Sequence, residues 1–408
     1  MRVLLMNQFF WPDSAATSQL LTDVARDLVA LGYEVHVICG GTYAETNPES
    51  RPDVVVHQVQ GFRFSRSTVG RILSYASFYI GATWKAFRVP RPDAVLTLTT
   101  PPLLSVVGAL LKLFKGSRFC IWEMDVYPDV AVDLGYIKSR GIINWSIGVV
   151  ADWSRRNADS IIALGECMRV RLLARGIQSE TIAVIDNWAD STQIAVAPRH
   201  TDRNSLLLLY SGNLGLAHDV ETLIGAIRRL RDDARFRFLF VGGGPRHAEL
   251  ASFLQADKIN SVELRSYVPR GELGSSLGAG DIGIVTQRET CCGSVVPSKV
   301  YGLLAAGRPI LFVGPGAATP ASIVRRHACG WHIDNGDVEG LVSLLNHLAE
   351  HPDEISAAGR NGRLALEQEF DRPLGTARII DQLVGTTSYR HSTTNNAYPE
   401  QAPPISVP

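Results

Sequence analysis

The chain reads as an α/β protein built from two doubly wound halves that face each other across a cleft. Three observations predict this. Its 408 residues are too many for one ordinary domain and suit two. Short apolar, β-branched runs alternate with segments of helical period, the pattern of parallel sheets covered on both faces. The alternation stops in a polar, pattern-free stretch at 191–204 and then starts again.

The elements follow in order. Residues 2–6, RVLLM, form the first strand. In 18–31, Leu20, Leu21, Val24, Ala25, Leu28 and Val29 recur at helical spacing, and Gly32 stops the helix. Strands are predicted at 34–39 and at 94–98, the latter closed by Thr99-Thr100-Pro101-Pro102. A strand at 119–122 runs into an acidic turn, and strands at 160–163 and 182–185 complete the first series. Beyond the linker, strands at 206–210, 236–241, 262–264, 282–285, 310–313 and 330–333 alternate with helices at 220–231, 271–279, 320–327 and 338–349. The predicted domains are 1–195 and 196–385, with the last helix available to pack back on the first half. From Thr386 the chain is rich in Ser, Thr, Asn and Pro without apolar period and reads as a disordered tail. Sites in such sheets lie at the carboxyl ends of strands.

Composition narrows the chemistry. Lys+Arg and Asp+Glu are both 40, so net charge predicts no partner, but its distribution is uneven. Between Gly61 and Arg118 stand Arg63, Arg66, Arg71, Lys85, Arg88, Arg91, Lys112, Lys115 and Arg118 against Asp93 alone. The six cysteines, at 39, 120, 167, 291, 292 and 329, form no CxxC pair and no metal spacing with histidine. Reduced thiols without structural zinc are expected. The N-terminus reads as a strand and not a signal peptide, and no charge-free apolar run reaches membrane-spanning length.

Two glycine turns stand out. After 236–241 comes Gly242-Gly243-Gly244-Pro245, but the third small residue of a dinucleotide fingerprint would fall at His247. The first strand-to-helix turn, 7–18, has no glycine, and no GxxxxGK[ST] exists, so NAD enzymes and P-loop NTPases are disfavoured. The competing reading of Gly242–Gly244 is a plain tight turn. Ser211-Gly212-Asn213-Leu214-Gly215 follows a strand and precedes a helix, as backbone approach to a charged ligand requires. The segment from Val296 to Leu311 reads as a loop, a short helix opened by Pro297, a stop at Gly307 and a strand. Ser298 and Lys299 then sit at a helix N-terminus, where a phosphate docks and a lysine adds a point charge; a well-capped helix packed on a sheet is the competing reading.

In this order the motifs resemble glycosyltransferase family 4, the retaining GT-B enzymes that use nucleotide sugars, and within it the bacterial exopolysaccharide branch typified by colanic acid biosynthesis. The resemblance spans roughly residues 1–385. Its carriers are MRVLLMNQFFWPD, Trp122-Glu123-Met124-Asp125-Val126-Tyr127-Pro128-Asp129, Ile185-Asp186-Asn187-Trp188-Ala189-Asp190, the SGNLG and VGGGP turns, and Pro297–Pro309. It implies GT-B architecture, two Rossmann-like domains, with the acceptor held by the first and the nucleotide sugar by the second. It implies donor contacts from Ser211, Gly212, Asn213, Gly215, Gly243, Ser298 and Lys299. It implies no cofactor and no metal, because basic side chains and helix N-termini serve the leaving diphosphate. Ala16, Thr17 and Ser18 match the family's diphosphate or acceptor loop, with an ordinary helix N-cap as the competing reading of Thr17 or Ser18. The chain departs from the family at Ser294 and Gly302, where a glutamate pair is usual, and at Asn213 and His218, where Arg and Lys are usual.

Glu123, Asp125 and Asp129 crowd a strand end at the cleft, where a group that orients or deprotonates an acceptor hydroxyl belongs. The resemblance points to Asp125, with Glu123 as the alternative; a helix cap by Asp125 or Asp129 is the competing reading. Trp122 and Tyr127 are core aromatics or sugar platforms. The basic 61–118 region interleaves cations with Phe62, Phe64, Ile72, Leu73, Tyr75, Phe78, Tyr79, Ile80 and Trp84, which suits an anionic membrane surface; two surface helices with apolar core faces and solvated cations are the competing reading, and nucleic acid fits less well. The expected function is transfer of a sugar from a nucleotide diphosphate to a growing, polyprenyl-diphosphate-linked surface glycan, by an enzyme peripheral on the cytoplasmic face of the plasma membrane. A sugar-nucleotide epimerase of the same fold and a non-catalytic scaffold are the alternatives.

Overall fold

The computed structural model describes residues 1–13, 15–40, 52–60, 68–196 and 205–385, without the side chains of 68–73 and 270. Phe62, Arg63, Phe64 and Arg66, the second part of the linker and the 386–408 tail lie outside the described residues, as do the side chains of Arg71, Ile72 and Leu73.

The first half contains β1 (Arg2–Met6), β2 (Glu34–Cys39), β3 (Val55–Gln58), β4 (Ala94–Leu98), β5 (Arg118–Glu123), β6 (Ser160–Ala163) and β7 (Ile182–Val184). All pair in parallel, in the order β3-β2-β1-β4-β5-β6-β7. Its helices are α1 (Ala16–Ala30), α2 (Thr68–Arg88), α3 (Ser105–Lys115), α4 (Asp129–Asp133), α5 (Ile142–Arg156) and α6 (Glu166–Ala174). Every residue of β4 and β6 is buried, which is why these strands are mostly apolar and do not alternate. The polar edge strand β3, VVHQ, carries no such signal and was not expected.

The second half contains β8 (Leu206–Asn213), β9 (Phe236–Gly243), β10 (Val262–Arg265), β11 (Ile282–Thr286), β12 (Ile310–Val313) and β13 (Gly330–Ile333). They form a second parallel sheet in the order β10-β9-β8-β11-β12-β13. Around it lie α7 (Glu221–Leu230), α8 (Pro245–Ala256), α9 (Leu273–Gly278), α10 (Lys299–Ala305), α11 (Thr319–His327), α12 (Val338–Glu350) and α13 (Pro352–Ala365). The glycine-rich 271–279 stretch supports only the short α9, preceded by a 3-10 turn. In each sheet the chain winds outward from a central strand and then restarts on its other side, so the switch points lie between β1 and β4 and between β8 and β11.

The last helix, α14 (Arg372–Val384), returns to the first half: Ile379, Ile380 and Leu383 belong to the core of the first sheet. The chain therefore crosses between the sheets twice, and the crossings run side by side with Ala189 bridged to Asp371. Asp371 accepts hydrogen bonds from the Ser191 amide (2.9 Å), the Ser191 hydroxyl (2.6 Å) and the Arg372 amide that opens α14 (2.9 Å). Arg363 donates to the carbonyls of Ile194 (3.0 Å) and Ser191 (3.3 Å), and Ile194 is buried in the second core. The start of the polar 191–204 stretch is thus bound to the second half. The changeover lies near Ala189, a few residues before the boundary predicted at 195.

Asp371→Ala removes a helix cap and two cross-links together. It is expected to cost about 1–3 kcal/mol in urea unfolding, with faster amide exchange concentrated in α14.

Candidate active site

The two glycine turns touch. Pairing of β8 with β9 continues through Gly212 opposite Gly242 and Asn213 opposite Gly243. Gly242 has φ +134°, and a Cβ there would lie 2.2 Å from the Gly212 carbonyl oxygen. Gly244 has φ +119°, and its Cβ would lie 2.5 Å from Asn213 Oδ1 and 2.6 Å from the Leu214 carbonyl oxygen. Left-handed backbone and contact with another backbone together demand glycine. The competing reading of a tight turn therefore accounts for Gly242 and Gly244. Gly243 lies beside the exposed Tyr267 ring, and Ser211 and Gly215 are half-buried.

Lys299 reaches over Gly212, where a Cβ would lie 2.8 Å from its Cε. Its Nζ donates to the Asn213 carbonyl oxygen (3.1 Å), lies 3.2 Å from His218 Nε2 and stands 5.2 Å from the centre of the Tyr210 ring. His218 Nδ1 is 2.7 Å from the Thr286 carbonyl oxygen, so that nitrogen carries the proton and Nε2 accepts from the ammonium. Burial, then the Lys299 charge, pushes the His218 pKa down to about 3, which keeps the imidazole neutral. Burial lowers Lys299 to about 8. Among the described residues no carboxylate pairs with Lys299, so its charge is left for an anion. His218 was noted in the sequence only as a departure from the family pattern. Its spacing to Lys299, 81 residues, gives no signal that the two meet.

The expected helix N-terminus at Ser298 is modest. Helix α10 has seven residues, and the Ser298 side chain makes no capping hydrogen bond. So short a helix has little dipole, and the positive charge is mainly that of Lys299.

On the facing half, β5 delivers the acidic cluster. Glu123 is buried in a two-point ion pair with Arg155 from α5: Nη2 to Oε1 at 2.5 Å and Nε to Oε2 at 3.3 Å. Arg155 also donates to the Tyr127 carbonyl oxygen (2.9 Å) and to Asp152 (3.1 Å). Glu123 is therefore committed to holding the strand end and is corrected as the alternative acid–base group. Asp129 pairs with Arg175 at 2.8 Å, and the residue before α4 is Pro128, so no aspartate side chain caps that helix. Trp122 is fully buried and stacks on Trp188, which makes it a core residue.

Asp125 differs. Its amide and that of Met124 donate to Thr99 Oγ1 at 3.1 Å each, and its carboxylate makes no hydrogen bond to a described residue. Its backbone bridges Val295 of the second half, and the Val126 amide donates to the Ser294 carbonyl oxygen at 2.9 Å. Asp125 thus stands where the two sheets meet. Burial, then the Glu123 charge, raises its pKa to about 6.

At the end of β1 the N-cap of α1 is Ala15, so neither Thr17 nor Ser18 caps. Ala16 is exposed and Thr17 half-buried, but Ser18 is fully buried, its hydroxyl unpartnered among the described residues. Ser18 is corrected as a ligand contact because its side chain faces the core.

Comparison with known proteins agrees with this arrangement. A Glycosyl transferase 4-like domain matches residues 17–188, and a Glycosyl transferases group 1 domain matches 205–351. The chain belongs to glycosyltransferase family 4. WbjE of Pseudomonas aeruginosa, named as a glycosyltransferase, is 26% identical over 345 residues, covering 81% of this chain and 84% of its own. WcaI of Escherichia coli K12, named for colanic acid biosynthesis, is 25% identical over 341 residues, covering 75% and 82%. The GT-B fold is shared with Anabaena HepE in complex with UDP-glucose (TM-score 0.71, 15% identity, 94% of this chain and 100% of that) and with WaaG (0.70, 15%, 94% and 100%).

Of the two positions that usually hold glutamates in this family, Ser294 is fully buried and donates to the Cys291 carbonyl oxygen at 3.3 Å, whereas Gly302 is half-buried and a Cβ there would meet Leu277 at 3.3 Å. Gly242→Ala forces its Cβ onto a facing carbonyl, so a loss of about 2–4 kcal/mol in chemical unfolding is expected.

Proposed function

We propose that the protein transfers a sugar from a nucleoside-diphosphate donor, with retention at the anomeric carbon, to a hydroxyl of a polyprenyl-diphosphate-linked surface glycan. The observation that carries this reading is Lys299: a half-buried ammonium without a carboxylate partner among the described residues, set at the switch point of the second sheet. A diphosphate is the anion of fitting charge. HepE has been solved with UDP and with UDP-glucose, which supports a uridine nucleotide as the first donor to try.

In this reading Lys299 and the glycine turns 211–215 and 242–244 hold the diphosphate, with Ser298 beside them. The positive charge at Lys299 takes the role a divalent ion has elsewhere. The bond from the anomeric carbon to the diphosphate oxygen breaks, and the acceptor oxygen bonds the same face of that carbon. The acceptor proton passes to the departing diphosphate oxygen. Asp125 orients the acceptor hydroxyl from the opposite wall. A lipid-linked acceptor places the enzyme at the cytoplasmic face of the plasma membrane. A donor epimerase would instead change the donor with no acceptor present, which NMR of the donor alone detects.

Nucleoside diphosphate is expected to raise the melting temperature, and Lys299→Ala to abolish the rise. The ammonium carries its charge below pH 8, so affinity measured by calorimetry should weaken as pH rises through about 8. An unchanged nucleotide response in Lys299→Ala sinks the donor assignment.

The kcat/KM for transfer should be bell-shaped. It falls below about pH 6 as Asp125 protonates and above about pH 8 as Lys299 loses its proton. Asp125→Asn should lower kcat about 10²-fold or more and flatten the acid limb, as read by mass spectrometry of a short-chain polyprenyl-linked acceptor.

A further inference from the structure

Helix α5 is built with its apolar side outward. Ile142, Ile143, Trp145, Val149, Val150 and Trp153 are all exposed, Ile142 at 84% and Trp145 at 69%. The side turned inward is small or polar: Gly148, Ala151, Ser154 and Arg155. Ser154 meets Ser105 of α3 through their hydroxyls at 2.7 Å, and Arg155 is taken by Glu123. A helix on a water-soluble fold normally shows the reverse pattern. So many large apolar side chains facing out need a cover.

The charge around this face is of one sign. From 135 to 156 the exposed residues include Lys138, Arg140 and Arg156 and no carboxylate. Asp152, the acidic residue of α5, is turned into pairs with Arg155 and Arg175. Tryptophans on an apolar stripe bounded by cations are the composition of a helix lying in a bilayer interface. The 15 residues of α5 span about 22 Å, and among the described residues no helix is long and apolar enough to cross a membrane.

Three cations of the described part of the basic 61–118 region are committed inside the fold. Lys112 pairs with Asp159 at 2.7 Å, Lys115 donates to the carbonyls of Ala86, Phe87 and Val89, and Arg118 donates to the Gln382 carbonyl. These cations hold helices together. Among the described residues α2 and α3 expose large apolar side chains, Ile80 and Phe114, each at 73%, and Trp84 under the guanidinium of Arg88, which is itself exposed.

We propose that the outward face of α5 is the element that docks this enzyme on an anionic lipid bilayer, lying in the headgroup plane, with Lys138, Arg140 and Arg156 meeting lipid phosphates. This deepens the membrane-acceptor reading above and rests on it only for the reason the enzyme visits a membrane. The test is flotation with vesicles of equal parts phosphatidylglycerol and phosphatidylcholine, and with phosphatidylcholine alone. Wild type is expected to float with the anionic vesicles, and Ile142→Asn/Trp145→Ser/Val149→Asn to bind them at least about tenfold more weakly. The melting shift with nucleoside diphosphate should be the same in both, which shows that the variant is folded and its donor site intact. Equal binding by the triple variant, or equal binding to neutral vesicles, overturns the proposal. So does a concentration-dependent dimer, seen by sedimentation, that the triple variant abolishes. If neither protein responds to nucleotide but flotation still depends on α5, the donor assignment fails and the docking face stands.

Discussion

Everything at the cleft depends on how the two sheets are joined. Each sheet folds around its own core, but among the described residues the chain passes between them at two places, and these are laced to each other at Ala189 and Asp371. Asp371 fixes the outgoing strand through Ser191 and starts the returning helix at Arg372 with the same carboxylate. Arg372 then reaches back to Asp27 of α1 at 2.5 Å. With α14 packed on the first sheet, the carboxyl ends of both sheets stay turned toward one another, and Asp125 comes against Val295.

Inside the second half the controlling constraint is steric. Two strand-to-helix turns can approach to backbone contact only if the residues that meet have no Cβ, which places Gly242 over Gly212 and Gly244 over Asn213. Closing the turns in this way leaves a channel above Gly212 for the Lys299 side chain. His218 completes it as a neutral acceptor, kept neutral by burial and by the lysine itself. A protonated imidazole there would repel the ammonium, so its low pKa and the lysine's position depend on each other.

The acidic side shows how similar residues separate into different roles. Glu123 and Asp125 are two positions apart at the same strand end, yet one is locked to Arg155 and the carboxylate of the other has no partner among the described residues. Arg155, brought in by the nearby α5, decides which is which. The same Arg155 faces inward from a helix whose outer side is Ile, Val and Trp, so one helix both anchors the strand end and presents the proposed docking face. Cations counted along 61–118 suggested a basic surface, but Lys112, Lys115 and Arg118 spend their charge on helix ends and on Asp159. Charge density along a sequence does not say which way side chains point.

The sequence by itself determined the doubly wound architecture, most strand positions, the family, and the two glycine turns with Lys299. These are local patterns: a buried parallel strand must be apolar, and a turn that needs positive φ must hold glycine. Edge strand β3 escaped it for want of an apolar period, and the inside-out character of α5 because its apolar stripe does not say which way it faces. Only the tertiary structure decided that Glu123 belongs to Arg155, that Ser18 faces the core, and that His218 supports Lys299. Each depends on two residues far apart in the chain, brought together by packing that no local pattern encodes.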